Sequence, residues 1–298
     1  ERNHTMEENS SFEYEKKNGY VVITALKGDP SVVEIPGMLD GLPVTELKEY
    51  LFSGKSLETL YLPDTVKKIG RYGFYNCRSL HTMWFGSHFT DIGSGAFTGC
   101  HNIRKLYVHM ESQDSGIKEI LSEIGEELEV VLSGSVEAVL WFPEYYEEGV
   151  ENTPARILMT QIHGSGLYYR NCFAGKRFNY QEYDKRFEMA CAQENEKFLL
   201  ELAFGRLKSP WELGQNAREQ YELYIQSHYE QLAGLLICGQ RQEELAFLME
   251  TYPLDRSEKS VYDHILGMAG KTGDEGTVSM LMEYGRIHFP AGRPSFML

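Results

Sequence analysis

The chain has 298 residues, of which 42% are hydrophobic and 12% aromatic, a length that suits two domains and a composition that excludes wholesale disorder. Lysine and arginine number 29 against 44 aspartates and glutamates, for a net charge of −15. That field repels a nucleic-acid backbone or an anionic bilayer surface, and no run of five basic residues offsets it, so nucleic acid is not expected as a partner. No apolar run approaches the roughly 18 residues that a membrane span needs, so membrane insertion is not expected either.

The first residues, ERNHTMEENSS, are polar and lack the apolar stretch of a signal peptide. A cytoplasmic location is the expectation, and because the sequence starts at Glu1 rather than at a methionine, a surface or secreted one stays open if an upstream signal was removed. Asn3-His4-Thr5 and Asn9-Ser10-Ser11 fit the glycosylation triplet, a pattern frequent by chance. The five cysteines (Cys77, Cys100, Cys172, Cys191, Cys238) are scattered without CxxC spacing, which favours free thiols over a disulfide framework.

The stretch FEYEKKNGYVVITAL alternates in the manner of two strands, with Asn18-Gly19 as the turn of a hairpin. A repeat follows. SLETLYLPDTVKKIGRYGFYNC from Ser56, SLHTMWFGSHFTDIGSGAFTGC from Ser79 and NIRKLYVHM from Asn102 align at an offset of 23. Leu57, Leu80 and Ile103 match, as do Leu60, Met83 and Leu106, and Leu62, Phe85 and Val108. Ile69 matches Ile92, Phe74 matches Phe97, and Cys77 matches Cys100. An earlier unit places Val44, Leu47 and Phe52 against Val66, Ile69 and Phe74, one residue short. No such unit buries its apolar side alone, so neighbours must stack as a solenoid, one short parallel strand per turn.

The LxxLxL strands with the convex segments LPDTVKKIGRYGFYNCRSL and GSHFTDIGSGAFTGCHNI resemble the 23-residue, Treponema-type leucine-rich repeats of BspA-like bacterial surface proteins. The resemblance covers roughly residues 30–110 and implies a sheet with inward leucines and an outward residue between them. Met83 and Phe85 then point in and Trp84 out, and the same register gives Tyr61, Trp84 and Tyr107 as an outward row. Stacked strands lie about 4.8 Å apart, so the three rings form a ladder. Thr59, Thr82 and Lys105 form the row two residues earlier, and His109 continues beyond Tyr107. These seven are the candidate partner-binding residues of the concave face, and the ladder serves either a partner or packing within the chain. Cys77 and Cys100 fall where the repeat carries a small buried side chain, a structural role.

Past Met110, Ile117, Ile120, Leu121 and Ile124 recur at helical spacing, and LEVVL and SVEAVLWFP read as strands that extend the sheet. PEYYEEGVENTP is acidic and bounded by prolines, which reads as a linker. Thr153-Pro154 is the expected start of a helical region. From Glu182 the pattern breaks into helices of ten to fifteen residues, each with one apolar stripe. LLICGQRQEELAFLMETY and MAGKTGDEGTVSMLMEYG align with Gly239 on Gly273 and Phe247 on Leu281, and the second resembles an ankyrin repeat without its TPLH signature. The expected fold is α+β: a short leucine-rich-repeat solenoid with a hairpin cap over 1–142, an acidic linker over 143–153, and an all-α, ankyrin-like domain over 154–298.

Catalytic signatures are absent: there is no GxGxxG after a strand, no GxxxxGK[ST], no HExxH and no paired CxxC. His163, Ser165, Tyr168 and Cys172 lie close in sequence, but GSG lacks the spacing of a nucleophile elbow and no acid completes a triad. The expectation is a bacterial protein–protein interaction module that is not an enzyme and takes no cofactor or metal. A secreted or surface adhesin for host protein or glycan is the first alternative. An enzyme with an unrecognised site near His163, Ser165 and Tyr168 is the second.

Overall fold

The computed structural model describes residues 11–89, 91–152 and 157–290. Strands β1 (Phe12–Lys17) and β2 (Tyr20–Leu26) pair antiparallel across Asn18-Gly19, with Gly19 at φ 88°. Then come β3 (Val32–Glu34), β4 (Met38–Leu39), β5 (Leu42–Leu47), β6 (Thr59–Tyr61), β7 (Lys68–Ile69), β8 (Thr82–Gly86), β9 (Asp91–Ile92) and β10 (Lys105–Met110). Helix α1 (Ile117–Glu123) precedes β11 (Leu128–Gly134) and β12 (Ala138–Phe142).

These strands form two sheets, one in the order β1-β2-β5-β7-β9 with β4 on β5, the other in the order β12-β11-β10-β8-β6-β3. Three successive turns give a strand to both (β3 and β5, β6 and β7, β8 and β9), β10 and β11 continue the second sheet alone, and the chain winds as a solenoid of about five turns. From β3 to β11 the second sheet is parallel throughout. Only β12 reverses, lying antiparallel on β11.

Between the sheets the repeat positions stack as ladders. Phe52, Phe74 and Phe97 lie face to face with centroids 5.1 Å apart at both steps, and all three are buried. The Cys77 thiol donates to the Phe52 carbonyl and the Cys100 thiol to the Phe74 carbonyl, each at 2.9 Å, as second donors to turn carbonyls that already accept from the Lys55 and Cys77 amides. At two places per turn the backbone is left-handed: Tyr50, Tyr72 and Gly95 at one (φ 57°, 53° and 68°), Gly54, Asn76 and Gly99 at the other (φ 69°, 58° and 82°). Glycine is obligatory elsewhere for a different reason. A Cβ on Gly70 would stand 2.3 Å from the Glu49 nitrogen, and one on Gly93 the same distance from the Arg71 nitrogen.

The array ends in a built cap. Ile117, Ile120 and Leu121 of α1 are buried beneath it. The Tyr183 hydroxyl accepts from the Trp141 amide at 2.9 Å and donates to the Trp141 carbonyl at 2.6 Å, so it occupies backbone groups of β12, the last strand of the sheet. Arg170, buried to 3% exposure, donates to the carbonyls of Ile124, Glu126, Pro143 and Gly166. Burial lowers its pKa to about 10, with Tyr145, Glu126 and Glu144 opposing, so it stays charged near neutrality and ties α1, β11 and the end of β12 together.

Two strands stand where a linker and a helix start are expected. β13 (Tyr146–Asn152) pairs antiparallel with β14 (Ile157–His163). The acidic run reads as a solvated connection, yet its partner carries the β-branched Ile157, Thr160 and Ile162, which favours a ribbon over a helix. The expected N-cap, Thr153-Pro154, lies outside the described residues, as do both glycosylation asparagines. Helical structure begins instead with α2 (Gly166–Arg170), followed by the short strands β15 (Phe173–Ala174) and β16 (Arg177–Phe178), then α3 (Tyr180–Lys185) and α4 (Phe187–Gln193).

The chain divides into two compact units. The first runs to Phe198 and includes Ser209–Gly214; the second comprises Leu199–Lys208 and everything from Gln215 onward. Helix α5 (Glu196–Lys208) is followed by α6 (Gln215–Ser227), α7 (Tyr229–Cys238), α8 (Gln242–Thr251), α9 (Lys259–Thr272) and α10 (Glu275–His288). In the second unit, Leu232, Leu236, Leu245, Leu248, Ile265 and Leu281 form a dry interior. Arg241 grips Glu201 at 2.6 and 2.8 Å, and Lys208 meets Glu244 at 2.6 Å.

Candidate functional site: the outer face of the second sheet

The outward rows of the second sheet follow from strand alternation. In β8, Met83 and Phe85 are buried while Thr82 and Trp84 are half-buried, and β6 and β10 repeat the pattern. Tyr61 pairs with Trp84 and Trp84 with Tyr107 across the parallel ladder. The Tyr61 and Trp84 rings stack with centroids 5.6 Å apart and planes 20° apart; Trp84 and Tyr107 stack at 3.5 Å and 6°. Thr59, Thr82 and Lys105 are in register as the neighbouring row, and exposed His109 sits opposite Gly86. All seven sequence-predicted residues therefore lie on one face.

The face extends further than those seven. In the ring row, Glu34 precedes Tyr61, and Val131 and Val139 follow Tyr107; in the other row, Glu129 and Trp141 follow Lys105. The alternation of LEVVL against KLYVHM carried that signal, but the unit is irregular in length. Lys105 bonds Glu129 at 2.7 Å and lies 5.1 Å from the Tyr107 ring centroid. Burial pushes the Lys105 ammonium pKa down, but Glu129 and Tyr107 outweigh it and hold it above the ordinary lysine value. At the far end, Trp141 meets the ring of buried Phe198 edge-on at 6.4 Å.

The residues of the sequence that invite a catalytic reading are not joined as a catalytic group. Ser165 is buried and its hydroxyl donates to Glu194, while His163 pairs through Nε2 with Glu148 at 3.0 Å and stacks on Tyr146. The Cys172 thiol donates to the Tyr168 carbonyl at 3.3 Å, and burial raises its pKa to about 11, which disfavours the thiolate. Among the described residues, no group of three or more histidine, cysteine or acidic side chains is placed to hold a metal ion, and no helix is long and apolar enough to cross a membrane.

A parallel strand every turn, two sheets, and stacked ladders between them define a leucine-rich-repeat solenoid. Residues 43–124 match the BspA type leucine rich repeat region in six copies, and this segment is an array of that type. Among solved structures, a leucine-rich repeat protein of T. pallidum is 22% identical, covering 33% of this chain and 69% of its own, with a TM-score of 0.27. A leucine-rich cell surface protein of Faecalibacterium prausnitzii is 21% identical over 36% of this chain and 37% of its own, TM-score 0.29. A leucine-rich repeat protein of Bacteroides capillosus is 20% identical over 42% of this chain and 95% of its own, TM-score 0.33. No curated protein matches the chain. Leucine-rich repeats of this kind serve in general as protein-interaction modules.

Proposed function

We propose that the protein is a non-enzymatic protein-interaction module whose contact surface is the outer face of the second sheet, centred on Tyr61, Trp84 and Tyr107. The observation that carries this reading is the ring ladder itself, three half-buried aromatic side chains in contact across adjacent parallel strands. Tyrosine and tryptophan supply much of the energy at protein interfaces, because their large rigid surfaces lose little conformational freedom on binding. Thr59, Thr82 and the Lys105–Glu129 pair offer polar contacts beside the rings. The helix pairs of the second unit are the second binding element in this reading. Their ankyrin-like character is supported by the sequence alignment of Gly239 on Gly273 at two helix ends.

Affinity capture with the full chain and with a Tyr61→Ala/Trp84→Ala variant tests the proposal. A protein retained by the first and lost by the second, with both melting at the same temperature, supports it. A large fall in melting temperature, or retention that ignores the substitutions, assigns the ladder to stabilisation of the sheet.

A further inference from the structure

We infer that the opposite, convex side of the repeat array carries a binding site for a neutral polysaccharide, formed by Tyr50, Tyr72 and Tyr75 together with the groove beside them. The Tyr50 and Tyr72 rings stack with centroids 5.2 Å apart and planes 20° apart, and Tyr75 stands edge-on to Tyr72 at 5.7 Å. Tyr50 is 52% exposed and Tyr75 36%. Tyr50 and Tyr75 are not held there by burial, Tyr72 is half-buried, and Tyr50 and Tyr72 are held against a backbone cost. Left-handed φ in a bulky residue is disfavoured by about 1–2 kcal/mol, yet Tyr50 and Tyr72 both adopt it, and the next repeat has Gly95 at the same position.

The groove identifies the chemistry. An open trough of about 590 Å³ runs over the first sheet, and its lining includes Glu49, Arg71 and Ser94, the residues immediately before Tyr50, Tyr72 and Gly95. Its charged lining closes into ion pairs, Lys17–Glu46 at 3.5 Å, Lys48–Glu15 at 3.8 Å, Lys68–Asp91 at 2.9 Å and Arg71–Glu49 at 3.4 Å. On a chain of net charge −15, this trough is locally neutral, with acids and bases in equal number. An ionic ligand is repelled by the like-charged member of each pair and competes with it for the other. A polyhydroxyl ligand does not: each hydroxyl donates to a carboxylate and accepts from an ammonium or guanidinium group while the pairs persist. Flat ring faces complement the C–H face of a pyranose, whose weakly positive hydrogens meet the negative face of the ring. Exposed tyrosine rings one residue along the chain from a polar trough of zero net charge therefore suit a neutral sugar chain.

This site is independent of the outer face of the second sheet, and the experiment separates them. The full chain is run in native gels containing soluble xylan, mannan, mixed-linkage β-glucan or starch, with polygalacturonate as an anionic comparison. Retardation by at least one neutral polymer is expected, weakened at least tenfold in Tyr50→Gly and Tyr72→Gly and retained in Tyr50→Phe and Trp84→Ala. Glycine is the chosen replacement because Gly95 fills the same position in the next turn, and melting curves confirm folding. If a glycine variant fails to fold, Tyr75→Ala, at an exposed ring, replaces it and is expected to weaken retardation. Retardation by polygalacturonate alone, by no polymer, or unchanged in the variants without their rings overturns the inference, as does its loss in Trp84→Ala.

Discussion

The same repeats build two aromatic ladders with opposite fates. Phe52, Phe74 and Phe97 stack between the sheets with no ring left in water, whereas Tyr61, Trp84 and Tyr107 stack on the outside and keep part of their surface exposed. Stacking between adjacent turns is common to both, although the inner steps are equal at 5.1 Å and the outer ones are 5.6 and 3.5 Å. Chemistry is not: the inner ladder uses the ring with no polar atom, the outer one rings that carry a hydroxyl or an indole N–H. Stacking alone therefore does not separate a core from a contact surface; desolvation does.

Substitutions break this comparison at graded cost. Phe74→Ala empties the centre of the inner stack and is expected to cost about 3–5 kcal/mol in urea unfolding. Next comes Gly93→Ala, whose Cβ has nowhere to go against the Arg71 backbone, with a loss of about 1–3 kcal/mol on the same measurement. Trp84→Ala removes two half-exposed stacking contacts and should lower stability by only about 1 kcal/mol, its main effect being loss of a partner in the capture assay. A cost equal to that of Phe74→Ala would mean that the two ladders do the same job. The smallest effect belongs to Tyr50→Gly. Relief of left-handed strain, about 1–2 kcal/mol, opposes the loss of one ring pair and the added freedom of glycine in the unfolded chain, so thermal melting should barely move.

Much of the repeat region is legible in the letters because a fixed offset of 23 carries both the inward and outward positions, and Trp84 needed only the parity of its neighbours. The extension through Glu129, Val131 and Trp141 is harder to read, because the turn holding α1 has its own length and its strand must be found by alternation alone. The β13–β14 ribbon is masked for another reason: seven residues rich in glutamate look like solvated chain when the partner strand is not known. Tyr50 and Tyr72 stand at matching loop positions, but nothing in a tyrosine announces a left-handed backbone. Gly95, in the same place one turn later, is the clue. Arg170 is still less visible, since its role comes from four carbonyls drawn from separate segments.

The reversal of β12 and the Tyr183 hydroxyl on Trp141 set a direction for how this molecule can grow. An extra unit spliced between Arg78 and Ser79 meets a matching strand above and below and lengthens the coil by one winding. One appended after Phe142 meets an antiparallel strand and a tyrosine already seated on its rim. Duplication during evolution, or by an engineer, is thus permitted in the middle of the coil and refused at that end.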